Sequence, residues 1–123
     1  MNPILTKNFN AAAAISQYRI VKFGAADGDV QQAAAATDAQ VGVANLDAAL
    51  NERVDVVVCG IAEVRLGGTV TRGNLITSDA NGKGVAASAA IGANQRYLGI
   101  AMVSGVAEDI IDVLIAPGEY QGA

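Results

Sequence analysis

The sequence predicts a mainly β fold, a small barrel or sandwich built from two duplicated β units, with short helical turns and an extended N-terminal arm. Three observations predict it. Short β-branched runs recur between connectors rich in Gly, Asn, Asp and Ala, the spacing of small all-β domains. The dipeptides Asp27-Gly28 and Asn81-Gly82, which take positive φ readily and close hairpins, fall at comparable places. Finally, the chain overlays on itself. "GVANLDAALNERVDVVVCG" from Gly42 lies over "GIAMVSGVAEDIIDVLIAPG" from Gly99, 57 residues on, and "ISQYRIVKF" from Ile15 lies over "VTRGNLITS" from Val70, 55 residues on. Turns, strand starts and the aspartates Asp55 and Asp112 then agree in one order, as repeated supersecondary units require. Val30 falls over Val85.

In chain order, residues 1–14 read as an arm, 15–118 as a single β-rich domain with repeats over about 15–60 and 70–118, and 119–123 as a C-terminal tail. Strands are expected at 18–23, 29–33, 40–44, 53–58, 61–66, 74–78, 84–87, 96–102 and 110–115. The alanine runs 11–14 and 33–36 favour helix by propensity but are too short to hold one unaided. Leu46 to Leu50 has room for one helical turn. Val54, Val56 and Val58 point one way along their strand and Val57 the other, so both faces are partly apolar. Such a strand is central or is covered by another subunit. Cys59, closing this run, reads as a small buried apolar residue.

The core is modest. The chain is 123 residues long and 52% hydrophobic, but much of that is alanine, Trp is absent, and there are two Phe and three Tyr. Small side chains bury little area at about 25 cal/mol per Å², so a lone copy is expected to be marginally stable and to gain from oligomerisation. The net charge of −4 argues against a nucleic-acid partner, whose phosphates call for clustered Lys and Arg. No basic amphipathic stretch, basic leader or long apolar span points to a membrane. One cysteine leaves no internal disulfide.

Catalytic and cofactor signals fail one by one. Gly82-Lys83 suggests a phosphate loop, but Gly84 stands where Ser or Thr is needed and Thr77 where the first glycine is needed. Without histidine the usual neutral-pH base and the commonest transition-metal ligand are missing. Asp55 and Asp112 read as solvent-facing strand residues rather than a carboxylate pair, and Glu63 and Arg65 as a surface ion pair on one strand face. Glu108-Asp109 lacks the spaced oxygens of a calcium loop. No enzyme, metal or cofactor is expected.

The opening "NPILTKNF", the strand "YRIVKFG", the long central stretch from Gly42 to Ala87 and the closing "LGIAMVSGVAEDIIDVLIAPG" resemble the small capsid decoration, or cement, proteins of tailed phages and prophages. The resemblance covers about residues 2 to 118. Some members have carried a recombinase label, against which the acidic charge and failed phosphate loop speak. The resemblance implies a β-rich protein of the virion, assembled in the bacterial host cytoplasm, that binds the major capsid protein on the outside of the expanded head, commonly as a homotrimer. It also implies an N-terminal arm lying across neighbouring capsid subunits. The matching positions are Asn2, Pro3, Ile4, Leu5 and Phe9, with strand addition supplying backbone hydrogen bonds. The alternative for the arm is packing onto its own domain. On the first view, deleting residues 2 to 9 leaves the domain folded. A tail, fibre or receptor-binding β module of the particle is the alternative for the whole chain.

Overall fold

A computed structural model describes residues 2–87 and 94–121. They form nine strands: β1 (Asn2–Ala11), β2 (Ile20–Phe23), β3 (Asp29–Gln32), β4 (Gln40–Ala44), β5 (Arg53–Arg65), β6 (Leu75–Ser78), β7 (Gly84–Ala86), β8 (Asn94–Ala101) and β9 (Ile110–Gln121). All lie in one sheet of order β1-β3-β2-β4-β5-β9-β8-β6-β7, and β1 also pairs with β5, closing β1, β3, β2, β4 and β5 into a ring. The expected strands therefore exist, with four differences. β9 runs past the expected 110–115 as far as Gln121, into the residues read as a tail. The runs 53–58 and 61–66 are one strand, joined through Gly60 at φ +97°. The arm is itself a strand. The helical turn at Leu46–Leu50 is absent, and the described residues contain no helix. Ala48 instead exchanges both backbone hydrogen bonds with Ile15, at 2.8 and 2.9 Å, which engages the groups a helical turn would use.

The duplication is a duplication of backbone contacts. Phe9 opposes Val54 and Asn8 opposes Asp55 between β1 and β5; Val64 opposes Ile111 and Glu63 opposes Asp112 between β5 and β9. Ile20 opposes Val43 and Val43 opposes Val57 in the first copy, as Leu75 opposes Ile100 and Ile100 opposes Leu114 in the second. The bridge Ile15–Ala48 recurs as Val70–Gly105, and the parallel contact Ala11–Val30 recurs as Leu66–Gly84. Val30 thus corresponds to Gly84 and not to Val85. Left-handed residues recur too, Tyr18 with Gly73, Asn51 with Glu108 and Gly28 with Gly82. Each copy is five strands, and β5 supplies the last strand of the first copy and the first strand of the second. The repeat therefore begins upstream of residue 15 and takes in β1.

Each copy has its own apolar interior. Phe9, Ala11, Ile15, Val21, Val30, Val54 and Val56 fill the first; Val64, Leu66, Val70, Ile76, Ile111 and Val113 fill the second. Val57, on the opposite face of β5, joins the second cluster, so both faces of β5 are covered within one chain. The copies are tied by backbone bonds from Ile20 N–H to the Gly82 carbonyl (2.7 Å) and from Arg65 N–H to the Tyr18 carbonyl (3.0 Å). Gln40 Nε2 also donates to Thr77 Oγ1 (3.0 Å).

Candidate functional site: the exposed end of the first strand

β1 has an anchored half and an exposed half. From Thr6 to Asn10 it runs in register beside Val57 to Arg53. Phe9 is 5% exposed, meets the Phe23 ring edge-on at 6.4 Å between centroids, and has Lys7 Nζ 5.3 Å from its ring centre. Asn8 ties the outside of this half, donating from Nδ2 to Asp55 Oδ1 (3.0 Å) and accepting on Oδ1 from Arg53 Nε (2.5 Å). Nearer the N-terminus the register slips twice, between Pro3 and Leu5 and between Leu5 and Thr6. Such irregularities re-aim side chains. Ile4 is 79% exposed and Leu5 55%. Of the five residues singled out in the sequence, then, Ile4 and Leu5 form an outward apolar tip, Pro3 is exposed beside them, Asn2 pairs by backbone with Ile61, and Phe9 lies in the core.

Two features set this tip apart from the rest of the described surface. Along its other edge β1 pairs with β3 only at Asn10 and Ala11, so among the described residues the edge from Pro3 to Phe9 carries no neighbouring strand. An open edge is a template for another chain's strand. Isolated exposed aliphatics are ordinary, but Ile4 and Leu5 are adjacent, on a strand, and beside that edge. Cys59, opposite Leu5, is exposed rather than buried. Cys59 shares the odd-numbered face of β5 with Asp55, Ile61 and Glu63, none of which is buried, so its residue type and the valine run before it were a poor guide to its burial.

Other residues weighed in the sequence have local roles. Asp79 Oδ1 accepts from the N–H groups of Asn81 and Lys83, closing the β6–β7 turn, and the Lys83 ammonium binds Glu108 rather than facing an open loop. Arg65 also turns to Glu108, 3.6 Å away, instead of pairing with Glu63. Asp109 Oδ2 accepts from Val106 N–H. Asp55 and Asp112 are far apart: Asp112 opposes Glu63, eight residues along β5 from Asp55, or about 26 Å at about 3.3 Å per residue.

The hydrogen bond from Lys83, helped by the nearby charges of Lys83 and Arg65, holds the Glu108 carboxyl below its usual range. A carboxyl whose folded pKa is lowered stabilises the fold above its unfolded pKa and loses that contribution as pH falls through the folded value. Glu108→Gln should therefore melt below wild type near about pH 6 and converge with it near about pH 3, a comparison made by thermal unfolding across that range. A gap that stays constant with pH would remove Glu108 from the acid response.

The family model for phage cement proteins matches residues 2–115. Among curated proteins no sequence matches the chain. Among solved structures it is similar to the N base of the head fibre gp8.5 in bacteriophage phi29, with a TM-score of 0.70 and 17% identity over 91% of this chain and 93% of that one, which is likeness of fold. With nearly the whole of the duplicated sheet inside the matched range, the chain belongs to the phage cement protein family and is a structural protein of the phage particle.

Proposed function

We propose that the protein binds the outer surface of the expanded phage capsid and stabilises it by bridging major capsid subunits as a homotrimer, with Asn2, Pro3, Ile4 and Leu5 as the contact and Phe9 as its anchor. The observation that carries this reading is the division of β1 into a core-anchored half and an exposed apolar tip with an open edge, in a member of the cement family. A capsid strand added to that edge would hydrogen-bond to the backbone while Ile4 and Leu5 supply apolar contact. Anchoring matters because a tip already held in extended form loses less conformational freedom on docking.

Bridging works through simultaneous contacts. Once one subunit of a trimer has docked, the others meet their sites at high effective concentration, so modest individual contacts must break together. About 800 Å² on each partner is a standard interface and sits within reach of a protein this size.

Co-sedimentation with expanded, DNA-free heads, using unexpanded shells as control, tests the proposal. Wild type should bind expanded heads saturably. Ile4→Asp combined with Leu5→Asp should weaken binding at least about tenfold, about 1.4 kcal/mol, with an unchanged melting temperature, because both positions are exposed. Alkylation of Cys59, opposite Leu5, should slow on binding. Failure to bind either shell would sink the proposal in favour of a fibre or receptor-binding module.

A further inference from the structure

The two copies within the chain are equivalent in backbone and unequal in burial. On the outer face of the first copy, Ile20, Val43 and Val57 are all buried, Val57 to 1%. Their equivalents in the second copy, Leu75, Ile100 and Leu114, are half-buried or exposed, Leu114 to 40%. The opposite asymmetry holds at the open end of each interior. Ala62, Ser78, Leu98 and Ile115 close the second copy's end and are buried. In the first copy the same positions are Lys7 and Phe23, exposed, with Val41 and Val58 half-buried.

One contact explains both differences. Ile20, Val43 and Val57 belong to the same apolar cluster as Ala62, Leu98 and Ile115, so the first copy's outer face is packed on the second copy's open end. The turn beside that contact follows the pattern: Gly82 is pressed against Gln32, where an added Cβ would lie 2.6 Å from its Cγ, while Gly28 in the other copy's turn faces open space. Each chain thus contains one satisfied head-to-tail contact and is left with one unsatisfied surface of each kind.

We infer that these two surfaces bind each other between molecules: the Leu75–Ile100–Leu114 face of one copy of the chain packs on the Lys7–Phe23–Val41–Val58 end of the next. The occupant is a second copy because the chain itself demonstrates that this kind of face covers this kind of end. The contact joins unlike surfaces, so it makes rings where the rotation closes. It gives the homotrimer proposed above a specific interface and rests on that reading only for the number of subunits. Its geometry differs from the internal contact in one respect. After Val58 the chain runs on as the first strand of the second copy, whereas after Ile115 it runs on paired with Asn94 to Tyr97 of β8. Between molecules the contact is therefore made by side chains, without a shared strand.

Sedimentation of purified protein, with no capsid present, tests this apart from capsid binding. Wild type should associate reversibly below about 1 mM. Leu114→Asp and Phe23→Asp should each weaken association at least about tenfold. Mixed together, they should form dimers and nothing larger, because each retains the surface the other lacks. Lys7→Ala, which places at this end the residue that is buried at position 62, should tighten association and tests the end at an exposed position should Phe23→Asp fail to fold. A wild type that stays monomeric to about 1 mM, or a Leu114→Asp variant that associates like wild type, overturns the inference. So does a folded Phe23→Asp variant that gives no dimer when mixed with Leu114→Asp.

Discussion

Gly99→Ala is expected to lower stability by about 3 kcal/mol or more, a fall of about 10–15 °C in melting temperature for a domain of this size. A Cβ at Gly99 would lie 1.9 Å from the Leu114 carbonyl oxygen, 2.9 Å from its carbon and 3.1 Å from Ile115 Cα. All three are backbone atoms of β9, so no side chain can rotate aside. Relief requires β8 and β9 to separate where Ile100 pairs with Leu114 and Ala101 with Val113. Gly42, in the same place in the first copy, would put its Cβ 2.3 Å from the Val57 carbonyl oxygen, and Gly42→Ala should behave alike. Gly68→Ala is the control, since its Cβ would meet only Val85 Cγ1 at 3.8 Å. Thermal unfolding of the three variants decides the matter. If Gly99→Ala melts with Gly68→Ala, the strands part easily and close approach is not what fixes these glycines.

These two glycines also show what could be read from the sequence. Gly42 and Gly99 head the two segments that overlay 57 residues apart, and the strands after them overlay because both must present a bare backbone to the next strand. Asp27-Gly28 and Asn81-Gly82 marked hairpins for a different local reason, the positive φ that Gly28 and Gly82 adopt. Pairing partners far apart in the chain were harder to see. β1 repeats the second half of β5, yet Phe9 stands where Val64 stands and Lys7 where Ala62 stands, so only the alternation survives, and alternation alone does not distinguish a tethered arm from a ladder strand. Gly60 read as the end of a strand, since positive φ usually marks a turn; here both flanks find partners, Pro3 on one side and Ile115 on the other, and the strand continues. Burial of Phe9 in its own domain was only the alternative reading of the arm, because the residues that cover it, Val54 and Phe23 among them, lie elsewhere in the chain. Ile4 and Leu5 were named with Phe9 through the family resemblance alone, and nothing local separated the exposed pair from the buried ring.

Truncating the arm at two lengths should give two different outcomes. Deleting residues 2–5 removes the exposed Pro3, Ile4 and Leu5 together with the backbone pairs of Asn2, Pro3 and Leu5 to Ile61, Gly60 and Cys59, and should cost about 1–2 kcal/mol while abolishing capsid binding. Deleting residues 2–9 removes Phe9 as well, and with it the side chain packed beside Val54 and Phe23, the Asn8 bonds to Asp55 and Arg53, and the ladder opposite Val54 to Val57. Loss of a buried Phe alone costs about 3–5 kcal/mol, and the exposed edge of β5 adds unpaired backbone groups to that. Against a total stability of about 5–15 kcal/mol in a chain with few large side chains, the longer deletion should leave the first copy unfolded at 37 °C. Circular dichroism melting of both truncations separates the effects. Phe9→Ala in the full-length chain is the intermediate case: it keeps the tip and the ladder, so it should bind expanded heads at low temperature and lose binding only as it melts. A 2–9 deletion that melts within a few degrees of wild type would mean that β1 is dispensable to the sheet, and the anchored half would then have to owe its register with β5 to something other than stability.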